Sequence, residues 1–210
     1  KPTKKTTINA ELAFSNNDQN LFSSIDNNQN KGAATKFTWQ QTLVDQKWQV
    51  ISAVDYLFIH KNFSTIQRFQ SVEFNRDWNL LNPTGNQQQI GIGMTLKNKE
   101  NDFLSYSFQQ LKYSESFTGN KHLLNSKMKL NNTSFFMNSS VLDSDSEIQE
   151  STFLRLKGGI EQSFKKSWLG ATIALESNDV QNKATQNLAI TNHQYKEYDG
   201  YLGLGDSTKV

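Results

Sequence analysis

Apolar and polar residues alternate along most of this chain with a period of two, in about ten separate segments. In 5–14, Ile8, Ala10, Leu12 and Phe14 fall on one side and Thr7, Asn9 and Glu11 on the other. Residues 34–44 set Phe37, Trp39 and Leu43 against Lys36, Thr38, Gln40 and Thr42, and 48–59 put Trp48, Val50, Val54, Tyr56 and Phe58 together. The same rhythm runs through 88–96 (Ile90, Ile92, Met94, Leu96), 103–113, 122–130, 134–142, 151–164 (Leu154, Leu156, Ile160 against Arg155, Lys157, Glu161) and 168–176 (Leu169, Ala171, Ile173, Leu175). It is weaker in 193–204, where Tyr198, Leu202 and Leu204 carry it. Period two over these lengths predicts strands rather than helices. Soluble strands average about 5–6 residues. These segments match the roughly 9–11 residues a tilted strand needs to cross a bilayer.

The connections predict the topology. They run long and short in turn: 15–33, 60–87, 114–121, 143–150 and 177–192 are long, and 45–47, 97–102, 131–133 and 165–167 are short. Long loops gathered at one end of an antiparallel meander are the signature of outer-membrane barrels. The expected fold is therefore all-β: an antiparallel up-and-down meander of about ten long strands, an outer-membrane β-barrel or part of one, in a single region covering 1–210. The 71–80 stretch SVEFNRDWNL also alternates, but counting it as a spanning strand would reverse every later loop. It would also set Arg76 among Val72, Phe74, Trp78 and Leu80, where lipid penalises a charge by about 2–4 kcal/mol at the midplane. It is expected to be a strand-like excursion outside the membrane, with Phe74, Arg76 and Trp78 available to contact a ligand or partner protein.

Lipid-facing and girdle positions follow from the alternation: Trp48, Tyr56, Phe58, Ile92, Leu96, Leu156, Ile173 and Leu175, with Trp168 matched to Trp48 because each directly follows a short turn. Lys36, Gln40, Arg155 and Glu161 are expected on the lumen side. The competing arrangement is a soluble extracellular β-sandwich binding module, an adhesin or glycan-binding sheet, in which a second sheet covers the same apolar faces.

Composition is compatible with a barrel. Hydrophobic residues make up 35% of the chain, low for a soluble core but sufficient for strands that need one apolar face each. Twenty-two basic and 20 acidic residues leave a net charge of +2 with no basic run, so nucleic acid is not an expected partner. The partner expected is outer-membrane lipid, with other envelope proteins as candidates. There is no cysteine, hence no disulfide frame or thiolate metal site. Both prolines, Pro2 and Pro83, fall outside the alternating segments, as strand ladders require.

Three stretches, ELAFSNNDQNLF at 11–22, SVEFNRDWNL at 71–80 and the terminal GYLGLGDSTKV, resemble parts of a large outer-membrane β-barrel family of Bacteroidota. The resemblance implies a location in the bacterial outer membrane and an internal section of a longer chain. It carries no catalytic residue and no substrate.

Signals of chemistry are sparse, and no enzymatic role, cofactor or metal is expected. Asp143, Asp145 and Glu147 begin like a calcium loop, but Ile148 and Leu154 occupy the positions where that motif needs Gly and Glu. His60, His122 and His193 are far apart and read as polar rim residues rather than a metal triad. Gly91-Ile-Gly93 and Gly203-Leu-Gly205 have no following helix, so they read as relief of crowding rather than phosphate loops.

Overall fold

A computed structural model describes residues 3–18, 30–67, 70–100, 102–114 and 116–205. Ten strands form one antiparallel sheet in strict chain order. They are β1 (Thr6–Asn16), β2 (Lys31–Asp45), β3 (Trp48–Ile59), β4 (Gln87–Asn98), β5 (Phe103–Tyr113), β6 (Phe117–Leu130), β7 (Thr133–Ser146), β8 (Gln149–Ser163), β9 (Ser167–Asn182) and β10 (His193–Leu204). The all-β meander expected from the alternation is present. The short connections at 46–47, 99–102, 131–132 and 164–166 share one end of the sheet, here the turn end. Register is regular throughout apart from one bulge between Thr42 and Val44.

At the turn end the connections are held by local chemistry. Asn131 takes a positive φ of 53° between β6 and β7, a conformation Asn tolerates better than most residues. Between β4 and β5, Asp102 accepts from the Lys129 backbone N–H at 2.8 Å and from the Asn98 side-chain amide at 2.7 Å. This carboxylate stitches the β4–β5 turn to β6.

The other end, here the loop end, departs from expectation in two places. The connections expected at 114–121 and 143–150 are short: β5 and β6 are joined by 114–116, and β7 and β8 by 147–148 alone. The strands continue through residues such as Thr118, Gly119, Asn120, Asp143 and Ser144, whose polar or small side chains resemble loop residues in sequence. The expected loop 177–192 is likewise shortened, since β9 runs to Asn182.

The connection from β3 to β4 adds no strand to the sheet, as expected of 71–80. Its form differs: Phe74–Asp77 is a one-turn helix, α1, not a β-like segment. Four-residue spacing brings Phe74 and Trp78 together, with ring centroids 6.5 Å apart, as neighbours on a helical turn should be. Asn79 and Asn82 then adopt positive φ and turn the chain back.

Candidate functional site

The described parts of the β3–β4 connection, 60–67 and 70–86, lie against one face of the sheet, termed inner; the opposite face is outer. Register and period two assign the faces. Ile92, Phe108, His122, Val141 and Leu154 share one outer row across β4–β8. Gln109, Lys121, Leu142 and Phe153 form the inner row beside it.

Toward the turn end, the outer face is apolar. Ile92, Met94, Leu104, Ile160, Leu169 and Leu202 are exposed there, Ile92 by 54% and Leu202 by 80%. Among the described residues a single sheet is present, and no second sheet covers this face. A monomer in water seldom leaves so long an apolar surface bare. The inner face of the same half carries Thr95, Lys97, Ser105, Lys127, Asn138, Lys157 and Glu161, with few apolar exceptions such as Phe136.

Toward the loop end the polarity reverses. The outer face there presents Thr118, Asn120, Asp143, Asp145, Glu150, Thr152, Asp179 and Gln181, which line a shallow polar depression. The inner face carries the core: Leu111, Phe117, Leu142 and Phe153, all buried and packed around Trp78, which is 3% exposed. Phe74, Leu80 and Tyr113 complete the packing. Gly119 makes room for the indole. A Cβ there would stand 3.0 Å from both Trp78 Cε3 and the Phe117 ring.

The upper border of the apolar outer belt runs obliquely across the register. Its last apolar residues are Phe14 on β1, Phe58 on β3, Phe108 on β5, Val141 on β7, Leu175 on β9 and Tyr198 on β10. The border descends toward the turn end by about one residue per strand. With a rise of roughly 3.3 Å and a strand spacing of about 4.8 Å, a horizontal border means strands tilted by roughly 35–40°. Transmembrane barrels tilt their strands by about 35–45°.

A charged cluster fastens the 60–86 connection to the inner face. Arg155 donates to Asp77 at 2.5 Å and lies 3.4 Å from Glu176. Its Nε and one terminal nitrogen make no aligned hydrogen bond, so the Glu176 contact is an ion pair only. Glu176 also accepts from Arg76 at 2.8 Å and contacts His193 Nε2 at 2.8 Å. Glu176, placed beside the guanidinium, raises the Arg76 pKa above its ordinary value. Asn79 donates to Ser151 at 2.9 Å and Asn178 at 2.8 Å, and the Lys121 ammonium sits 3.9 Å over the Trp78 ring.

Nearer β3, the same connection crosses β1 and β2. The Ser64 N–H donates to Ser15 Oγ at 3.0 Å, and a Cβ on Gly32 would collide with the Phe63 backbone at 2.3 Å. The connection therefore touches β1 through Ser15 and β9 through Glu176. On a flat sheet those residues would be about 40 Å or more apart. Arg76 follows Ser64 by twelve positions, and part of that length is spent on bends and α1. A sheet curled around the connection, with its inner face concave, accounts for both contacts without a fully extended chain.

The positions singled out from sequence divide accordingly. Trp48, Tyr56, Phe58, Ile92, Leu96, Leu156, Ile173 and Leu175 all share the outer face, and Lys36, Gln40, Arg155 and Glu161 the inner. Trp168 does not belong with the first group. It stands on the inner face, edge-on to Tyr201 at 5.5 Å and over Gly203, because it is one residue out of phase with Leu169 and Ile173. Of the loop-contact positions, Trp78 is buried in the inner core, Phe74 packs partly buried against it, and Arg76, still largely exposed, pairs with Glu176 and Glu73. The three histidines stand apart: His60 follows β3, His122 meets Tyr106 on the outer face at 2.8 Å, and His193 meets Glu176. Sequence reasoning missed Asp77, Asn79, Lys121 and Glu176. The Phe74–Trp78 spacing was the available signal for α1.

No family model matches the chain, and neither a curated protein nor a solved structure matches it.

Proposed function

We propose that this chain is a section of the wall of a bacterial outer-membrane β-barrel, with a structural, transport or surface-assembly role and no chemistry of its own. Lipid covers the apolar outer belt from Trp48 and Leu96 up to Phe58 and Leu175. The loop-end storey rises beyond the headgroups into water. The observation that carries this reading is the reversal of face polarity along single strands, together with the oblique border of the belt. A soluble sheet has no reason to keep one face apolar over half its length and then invert it. A bilayer of fixed thickness gives that reason. The likeness of 11–22, 71–80 and the terminal stretch to Bacteroidota outer-membrane barrels supports the same location.

Spin labels test it. The chain has no native cysteine, so Ile92→Cys, Leu156→Cys and Ile173→Cys can be labelled singly in vesicles carrying the full protein. Labels at these sites should collide more with oxygen, which partitions into lipid, than with a water-soluble nickel complex. Labels at Lys36→Cys and Glu161→Cys should show the opposite preference. Equal water accessibility at both sets would remove the membrane reading.

A further inference from the structure

The connection 60–86 has more fastenings than a surface loop needs. It leaves β3, passes over Gly32 on the inner face, reaches Glu176 on β9 and returns to β4, where Asn86 accepts from the Lys61 N–H at 2.9 Å. It spans the concave side from one edge region of the sheet to the other. Its middle is anchored by a buried indole, by the Asp77–Arg155 pair and by Asn79. In the turn-end half below it, by contrast, the inner face is lined by polar side chains such as Lys97, Thr95, Ser105 and Lys127 around a hollow of about 780 Å³. An apolar, filled layer thus sits above an open one bordered by lysine and hydroxyl side chains on the same side of the same strands.

We infer that the described parts of this connection, 60–67 and 70–86, form a fixed constriction across the loop-end mouth of the lumen, so that hydrophilic solutes outside reach the polar interior only past α1. The inference rests on the barrel reading, because a mouth exists only if the wall surrounds a lumen. It adds that this section closes its share of the lumen instead of lining an open channel. The segment is a plug rather than a lid. A lid needs weak contacts to swing, whereas here hydrophobic burial, a two-arginine cluster around Glu176 and an Asn bridge act together. Polar and charged groups beneath it fit water, ions and small hydrophilic solutes, and the constriction would exclude larger ones.

Thiol labelling from outside intact cells decides it, using the full-length protein and a membrane-impermeant maleimide. Asn138→Cys and Ala174→Cys place probes on the inner face, on the turn-end side of Arg155. Glu150→Cys, on the exposed loop-end storey, sets the rate of free access. With the connection intact, the two inner probes should react at least tenfold slower than Glu150→Cys. Replacing 70–81 by a Gly-Ser linker of equal length should bring them to within about threefold of it. If that variant fails to assemble, Asp77→Asn with Trp78→Leu loosens the anchor and should still raise the inner rates severalfold. Fast labelling with the native segment in place would overturn the constriction, and so would slow labelling unchanged by either variant. Ile92→Cys separates this from the parent reading: rapid labelling there in intact cells would mean that the belt is not in lipid.

Discussion

On β6, β7 and β8 the turn end sets Met128, Phe135 and Ile160 outward and Lys127, Ser134 and Glu161 inward. At the loop end of the same three strands, Asn120, Asp143 and Thr152 face outward and Phe117, Leu142 and Phe153 inward. The backbone is the same ladder in both regions, with the same period and the same neighbours. What differs is which side chains each face carries and whether the α1 segment packs against the inner one. A strand does not by itself have an apolar face. It has two faces, and the medium against each selects the side chains residue by residue. On the membrane reading proposed above, the outer residues are greasy where a bilayer lies outside and water inside. Where water lies outside and the α1 segment fills the inside, the greasy residues change sides.

Trp78→Ala tests the loop-end half most severely. Removing a buried indole from a packed core costs about 3–5 kcal/mol, and the loss should appear as earlier urea unfolding from phospholipid vesicles, followed by circular dichroism. The outer belt predicts a second effect. Leu156→Arg should cost about 2–4 kcal/mol if that position is near the bilayer midplane. Thr152→Arg, four residues along the same face of the same strand but in the loop-end storey, should stay within about 0.5 kcal/mol, as surface substitutions do. Equal costs at 152 and 156 would mean that no boundary passes between them. A third and smaller effect concerns close approach. Gly119→Ala inserts a methyl 3.0 Å from the Trp78 ring, and overpacking of that kind costs about 1–3 kcal/mol. Gly200→Ala, with open space around it, serves as the contrast and should leave stability nearly unchanged.

The same comparison explains what could be read from the sequence. Strand count, chain order and all four turn-end connections were legible because the turn-end half keeps strict alternation, and a slip of one residue there would flip every side chain. Strand ends at 114–121 and 143–150 were not legible. In Thr118-Gly119-Asn120 and Asp143-Ser144-Asp145 the outer residues are polar and the inner ones small, so both faces look like loop. Trp168 was misassigned for a related reason: its place after a turn suggested a girdle, while its parity with Glu176 put it inside. The site itself was hidden because it joins residues about a hundred positions apart, Arg76 with Glu176 and Asn79 with Asn178. Periodicity reports which face a residue takes, not what crosses that face from elsewhere in the chain.

The smallest expected effect separates the two arginines that meet at Glu176. Arg76 sits on α1 with 59% of its side chain exposed, whereas Arg155 rises from β8 with 30% exposed and is held between Asp77 and Glu176. An exposed ion pair contributes about 0–1 kcal/mol, because water screens it and the long side chain must be ordered to make it. Arg76→Gln should therefore shift the urea midpoint barely, and high salt should erase what difference remains. Arg155→Gln leaves Asp77 and Glu176 facing each other without their shared cation, and it removes the ion pair that ties Asp77 of α1 to the wall. Its cost should exceed that of Arg76→Gln and persist in salt, since partly buried charges are screened less. If the two variants behave alike, α1 is held by its indole and the Asn79 bridge, and the ion cluster only decorates a segment that they already fix.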